Sequence, residues 1–242
     1  FENVTFVYPD GEEPVIKNVS FSAKKGETIA FIGSTGSGKS TLINLIPRFY
    51  DVTEGSIRID GIDVRKFNLK ALRKKIGFIR QKNLLFTGTI KSNIKFGKPH
   101  ATHDEVENSA KIAQAYDFIT TKEKGFDEPI SEGGSNVSGG QKQRLSIARA
   151  LVRKSEIYIF DDSFSALDFK TDAILRKALK KETKDAIVLI VAQRIGSIMD
   201  ADKIIVLDEG KVVGVGKHKE LLSTCNVYHE IALSQLTEEE LA

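Results

Sequence analysis

The run Gly33-Ser34-Thr35-Gly36-Ser37-Gly38-Lys39-Ser40 constrains this chain more than any other stretch. It follows the apolar Thr28-Ile29-Ala30-Phe31-Ile32 and precedes helix-forming residues 40–46, so it reads as a strand–turn–helix unit. In that setting G-x-x-x-x-G-K-[ST] is a phosphate cradle, whose glycines let the backbone wrap an anion with its N–H groups turned inward. Lys39 is placed to reach the outer phosphates of a nucleotide, and the Ser40 hydroxyl to ligate Mg²⁺.

The rest of the chain supplies the sheet this unit needs. Ile157-Tyr158-Ile159-Phe160 and Ala186-Ile187-Val188-Leu189-Ile190-Val191 are continuous apolar runs, as expected of parallel strands buried on both faces. Lys203-Ile204-Ile205-Val206-Leu207 and Lys211-Val212-Val213-Gly214-Val215 flank Asp208-Glu209-Gly210 and read as a hairpin. Residues 1–30 alternate more and contain Pro9-Asp10-Gly11, which suggests an antiparallel flap. Between 82 and 150 the pattern turns helical, over 104–119 and 140–152, with the glycine- and serine-rich loop 131–138 ahead of the second helix. The tail from residue 233, ending Thr237-Glu238-Glu239-Glu240, reads as a frayed acidic end. The fold class is α/β, and 242 residues with 40% apolar content suffice for its core.

Several classes of function are set aside by composition. A net charge of +3 with no basic cluster gives no footprint for nucleic acid. The single cysteine, Cys225, leaves no internal disulfide and reads as a packing residue. No apolar run approaches the roughly 20 residues that span a bilayer, so no direct membrane insertion is expected. The chain begins at Phe1 in strand-like sequence and reads as an excised domain.

Two further features point to phosphate chemistry. Ser138-Gly139-Gly140-Gln141 opens an amphipathic helix, and backbone N–H groups at such a start attract anions, although an ordinary turn and cap would look the same. Asp161 closes a buried strand at its carboxyl end, where parallel sheets bind ligands, and is the natural partner for holding Mg²⁺ through water.

With these residues in place, the chain resembles the nucleotide-binding domain of an ATP-binding cassette (ABC) transporter over nearly its whole length. The resemblance implies a P-loop NTPase (RecA-like) core with an antiparallel β flap and a helical subdomain. Residues 1–81 and 151–242 would form flap and core, and 82–150 the helical part. It implies ATP and Mg²⁺ as cofactors. Tyr8, in Phe6-Val7-Tyr8-Pro9, looks like the aromatic that stacks on adenine; Val15 and Thr41 join the phosphate loop as ATP contacts. Gln81 resembles the glutamine that touches Mg²⁺ and senses the γ-phosphate, which makes Ser40, Gln81 and Asp161 the metal set. Ser138 to Gln141 matches the signature that contacts a partner's ATP, and Ser165-Ala166-Leu167-Asp168 the loop that crosses the dimer interface.

The subfamily resemblance is to exporters. It rests on Leu85-Phe86-Thr87-Gly88-Thr89-Ile90-Lys91-Ser92-Asn93-Ile94 and on Arg48-Phe49-Tyr50-Asp51 followed by Gly55-Ser56-Ile57. In exporters the segment after the glutamine receives coupling helices of a membrane domain. Glu132 matches the exporter cross-talk glutamate, although Gly133 stands where arginine is usual.

Two positions depart from the family pattern. Asp162 replaces the glutamate that polarises the attacking water, and its carboxylate is one methylene shorter, about 1 Å short of the reach that general-base catalysis needs. Gln193 replaces the histidine that contacts the γ-phosphate, and an amide cannot carry an imidazolium's charge. None of His100, His103, His218 or His229 lies near it in sequence, and each reads as a surface or packing residue. Together the departures suggest the degenerate half of a heterodimeric exporter. Its own site, with Asp162, Gln193 and Gln81 in the catalytic positions, would be slow, while its signature completes the partner's site. The expected location is the cytoplasmic face of the membrane, attached to an upstream transmembrane domain and paired with a second exporter half. On the residues alone, a regulatory ATP-dependent dimerisation switch and a soluble ABC-type ATPase of DNA maintenance stay open. The short helical region without long heptads or cysteines disfavours the latter.

Overall fold

The computed structural model describes residues 1–237, so the glutamates at 238–240 lie outside the described residues. The chain opens with β1 (Glu2–Phe6) and β2 (Ile16–Val19), followed by β3 (Thr28–Ile32), α1 (Lys39–Asn44) and β4 (Glu54–Ser56). A short hairpin of β5 (Arg58–Ile59) and β6 (Ile62–Asp63) leads through α2 (Leu69–Lys74) to β7 (Ile76–Ile79). The helical stretch comprises α3 (Ile90–Lys95), α4 (His103–Ile112) and α5 (Tyr116–Thr120), bracketed by the paired β8 (Gly88–Thr89) and β9 (Pro129–Ile130), and ends with α6 (Gly139–Leu151). Then come β10 (Ile157–Asp161), α7 (Phe169–Glu182), β11 (Ile187–Val191), β12 (Lys203–Asp208), β13 (Lys211–Gly216), α8 (His218–Thr224) and α9 (Asn226–Leu233).

Six strands form the central sheet in the order β13-β12-β3-β11-β10-β7, parallel except for the β12–β13 hairpin. That hairpin turns on Glu209 (φ 44°) and Gly210 (φ 79°), the pair of positive φ values that matches strand twist in a two-residue turn. The flap is a separate antiparallel sheet, β2-β1-β4.

Alternation along the strands builds two cores. Ile29, Phe31, Ile159, Leu189 and Leu207 face the flap and the apolar side of α1. Ala30, Ile32, Phe160, Ile190 and Val206 face the other way, onto Leu145 and Ile147 of α6, Leu175 of α7 and Tyr228 of α9. The helices of 90–151 therefore share their core with one face of the sheet.

Two helices differ from the sequence expectation. The helix expected over 104–119 is broken into α4 and α5 at Gln114, whose φ of 56° is left-handed and whose side-chain amide donates back to the carbonyls of Lys111 and Ile112. The helix expected over 40–46 stops at Asn44, because Pro47 disfavours helical backbone at the residue before it.

Candidate active site

Strand order assembles the site. The carboxyl ends of β3, β11, β10 and β7 lie side by side, and from them emerge the loop 33–40, Gln193, the Asp161-Asp162 pair and Gln81. This is the edge at which open parallel sheets bind ligands. The loop has no room for side chains where it touches the sheet: a Cβ on Gly33 would lie 2.0 Å from the Leu207 carbonyl oxygen. Gly38, at φ 97°, precedes α1 without offering a side-chain cap, so the N–H groups of the first turn keep no side-chain acceptor. Lys39 folds across the loop, its Nζ donating to the carbonyls of Gly33 (2.9 Å) and Ser34 (2.7 Å) and to Ser37 Oγ (3.2 Å). Burial pulls the Lys39 pKa down, against the opposing charges of Asp162 and Asp161.

The carboxylates are held in different ways. Asp161 Oδ1 accepts from Ser40 Oγ at 2.8 Å. Asp162 sits at a left-handed φ of 47°, and its Oδ2 accepts from both Gln81 Nε2 and Gln193 Nε2, each at 2.9 Å. Burial raises the pKa of both acids; Ser40, Arg80 and Lys39 counter it at Asp161, and Gln81 is the first counterweight at Asp162. The donor set fits Mg²⁺. Ser40 and Asp161 are adjacent hard oxygens, and Gln81, donating through its nitrogen, retains its amide oxygen. Among the described residues no group of three or more His, Cys, Asp or Glu could hold a metal ion.

On the flap side, Tyr8 OH is 2.9 Å from Thr41 Oγ1, and the Tyr8 ring meets Phe6 and Tyr50 edge-on. The Val15 carbonyl backs onto Gly38, 3.0 Å from where a Cβ would stand. The signature residues are not drawn into this pocket: among the described residues no hydrogen bond joins 138–141 to 33–41. Instead Ser138 and Gln141 form a reciprocal cap on α6, Ser138 Oγ accepting from Gln141 N (3.2 Å) and Gln141 Oε1 from Ser138 N (3.1 Å). Gly139 has open space where a side chain would go, and Gly140 abuts the Ala166 carbonyl. Ser165 to Asp168 is fixed from both ends, Ser165 Oγ donating to the Asp162 carbonyl, buried Leu167 joining the core, and Asp168 capping α7 through Thr171.

The model of the ABC transporter family matches residues 16–165. The chain belongs to the ABC transporter family. Over 230 residues it is 47% identical to a Staphylococcus aureus (strain COL) protein named "Putative multidrug export ATP-binding/permease protein", covering 95% of this chain and 40% of that protein. The counterpart from a bovine strain of the same species is 48% identical over 229 residues. Among solved structures, a bacterial Atm1-family ABC exporter with ATP bound superimposes with a TM-score of 0.94 at 37% identity, covering 98% of this chain and 42% of that one. The chain thus spans about 40% of the length of the curated relatives it matches.

Three arginines escaped the reading of this ABC sequence. Arg80 exerts its charge on Asp161. Arg194, next to Gln193, lies 5.5 Å from the ring of the exposed Phe169 and donates to the Ser165 carbonyl at 3.4 Å. Arg149 ties α6 to the segment after Gln81 through the carbonyls of Leu84 and Asn93. The available signal was a basic residue set into the apolar stripe Leu145, Ala148 and Val152. No histidine enters the site: His218 is buried against Tyr228, and His229 bonds the Leu222 carbonyl.

Proposed function

We propose that this chain is the ATP-binding cassette of a membrane exporter, held at the cytoplasmic face by a transmembrane domain that its relatives carry. It binds Mg-ATP through Tyr8, Val15 and residues 33–41, pairs head to tail with a second cassette, and turns ATP over slowly at its own site. Its relatives' export names and the family match support the transport reading. The slow site rests on one observation: the carboxylate in the base position has one oxygen engaged by two amide donors, Gln81 and Gln193.

When bound, Mg²⁺ supplies charge neutralisation at the β- and γ-phosphates. Ser40, Asp161 and Gln81 are the residues that would hold it. Lys39 exchanges its three loop acceptors for phosphate oxygens, and the uncapped first turn of α1 receives the anion. Asp162 is the group to orient the attacking water, yet its Oδ2 is already shared by both amides, which leaves Oδ1 for that task, and Gln193 has no ionisable nitrogen to carry a proton. Hydrolysis here is therefore weak.

The signature serves the opposite site. Gly139 is required neither by a positive φ nor by any neighbour within 4 Å, so the glycine is explained by something that approaches from outside the chain. A partner's ATP at the start of α6 meets that requirement. The partner is a second exporter half with glutamate and histidine at its own base and switch positions. The purified chain should hydrolyse Mg-ATP slowly, and mixing it with such a partner should raise the rate. Vigorous turnover by the chain alone would overturn the slow-site reading.

A further inference from the structure

The backbone that carries Gln193 is held by the last turn after α9. Ala192 N still donates to the Phe31 carbonyl of β3, and a new turn starts at Ile195–Ser197. Between them, the Gln193 carbonyl and the Ile195 N–H meet no backbone group among the described residues. One side chain satisfies both. Gln235 Nε2 donates to Gln193 O at 2.8 Å, and Gln235 Oε1 accepts from Ile195 N at 2.9 Å. Its amide supplies a donor and an acceptor to one stretch of backbone, as the edge of a strand would.

Gln235 is itself well placed to be the fixed point. Its own N–H and that of Leu236 both donate to the Ala232 carbonyl at the end of α9. Tyr228 and Ala232 of that helix are fully buried, Tyr228 OH lies 2.7 Å from His218 Nδ1, and Leu236 packs against the same core. The far side of the loop has a separate tether, because Arg176 of α7 donates to Gly196 O and to Asp172 Oδ1, each at 3.0 Å. The Gln235 contacts therefore bear on the residues nearest the site. Gln235 is exposed, so packing gives no account of an amide at this position.

We propose that Gln235 is a positioning residue for ATP hydrolysis: it fixes the backbone from which Gln193 reaches Asp162, and it acts on the chemistry only through that amide. This rests on the reading of Asp162 as the group that orients the attacking water. Gln193 Nε2 and Gln81 Nε2 both donate to Asp162 Oδ2. Gln81 keeps that oxygen engaged whether or not Gln193 does, so loosening Gln193 frees no oxygen. It lets the carboxylate turn, and Oδ1 loses its aim at the water. A misplacement of about 1 Å can cost about a hundredfold in rate, so losing one of two aiming contacts should cost about tenfold.

The test uses the purified chain, both of whose cores are built from its own residues. Gln235→Leu removes both bonds, and the Ile195 amide should then exchange its hydrogen about tenfold faster than in the native chain. Gln235→Glu is the second variant, keeping the size but setting a carboxylate oxygen against the Gln193 carbonyl. In either variant kcat for Mg-ATP should fall about tenfold with KM unchanged. In a Gln193→Ala background, where kcat is already low, neither variant should lower it further. A loss repeated in that background, a loss that appears in KM, or unchanged exchange at Ile195 gives Gln235 a merely structural role and overturns the proposal. Native turnover in both Gln235 variants beside a slow Gln193→Ala also overturns it, and leaves the reading of the pocket standing. Native turnover in Gln193→Ala overturns that reading and the positioning role together.

Discussion

Gly139→Asp separates what α6 does for this chain from what it does for another. At residue 139 a new Cβ meets nothing within 4 Å, and the backbone φ is not in the left-handed region, so the fold has no steric reason to resist. The position is the first residue of a 13-residue helix. A carboxylate there complements the helix dipole and is worth about 0.3–1 kcal/mol of added stability. For a partner's nucleotide the sign reverses. Two unit charges about 4 Å apart in a partly solvated interface repel by about 4 kcal/mol, which corresponds to a loss on the order of a thousandfold. The variant should therefore melt at or slightly above the native temperature and bind Mg-ATP at its own loop with unchanged affinity. Mixed with a hydrolytic partner cassette, it should support about 10²–10³-fold less turnover than native chain. Calorimetry, nucleotide titration and a coupled ATPase assay on the mixture read the three quantities. Full turnover with fold and binding intact would refute the idea that this helix start faces a partner's ATP.

Restoring the departures tests the slow-site proposal itself. Asp162→Glu with Gln193→His should raise single-chain hydrolysis about a hundredfold, within the range of general-base effects. Because Asp162 has φ 47°, where glutamate is less tolerated than aspartate, the change should also cost up to about 1 kcal/mol of stability; no gain in rate under saturating Mg-ATP argues that the defect lies elsewhere. Ser40→Ala removes the hydroxyl bonded to Asp161, so the excess of Mg-ATP affinity over ATP measured in EDTA should shrink; an unchanged ratio excludes Ser40 as a metal ligand. His218 carries a pH signature. Burial lowers its folded pKa, so the unfolded chain takes up the proton first, and stability should fall as pH drops below about 6.5 and level off past the folded pKa. His218→Gln should flatten that part of a melting-temperature profile between pH 7 and pH 5, and a profile identical to native would assign the acid sensitivity to other groups.

The elements that sequence made legible are those with local physical signatures. The strands 157–161 and 187–191 are buried on both faces and so read as uninterrupted apolar runs, and the turn at Glu209-Gly210 shows its chemistry directly. The phosphate loop, the acid at the end of β10 and the capped start of α6 were visible for the same reason. What stayed hidden depends on long-range order. Gln81 and Asp162 are 81 residues apart and Gln193 a further 31, so their shared hydrogen bonds follow only from β7, β10 and β11 being neighbours. Gln114 takes a left-handed backbone that its residue type does not announce, and the helix break there was missed. The role of Arg149 was equally illegible, since its acceptors belong to a segment more than fifty residues earlier.

The same few residues connect the two halves of the proposed function. Asp162 uses its side chain to accept from Gln81 and Gln193, and its carbonyl to accept from Ser165 Oγ at 3.0 Å. One residue further, the Ala166 carbonyl stands against Gly140 at a distance a Cβ would find tight, 3.3 Å. Asp162, Ser165, Ala166 and Gly140 thus lie along one run of neighbouring groups. Hydrogen bonds to a charged acceptor are each worth about 1.5–3 kcal/mol, so the double amide contact resists release of the carboxylate at Asp162. The Ser165 hydroxyl ties the loop at 165–168 to the backbone at Asp162. The slow chemistry proposed for this chain's phosphate loop is compatible with the contribution proposed for its helix start, because the Asp162 carbonyl anchors Ser165, whose neighbour Ala166 leaves Gly140 little room for a side chain.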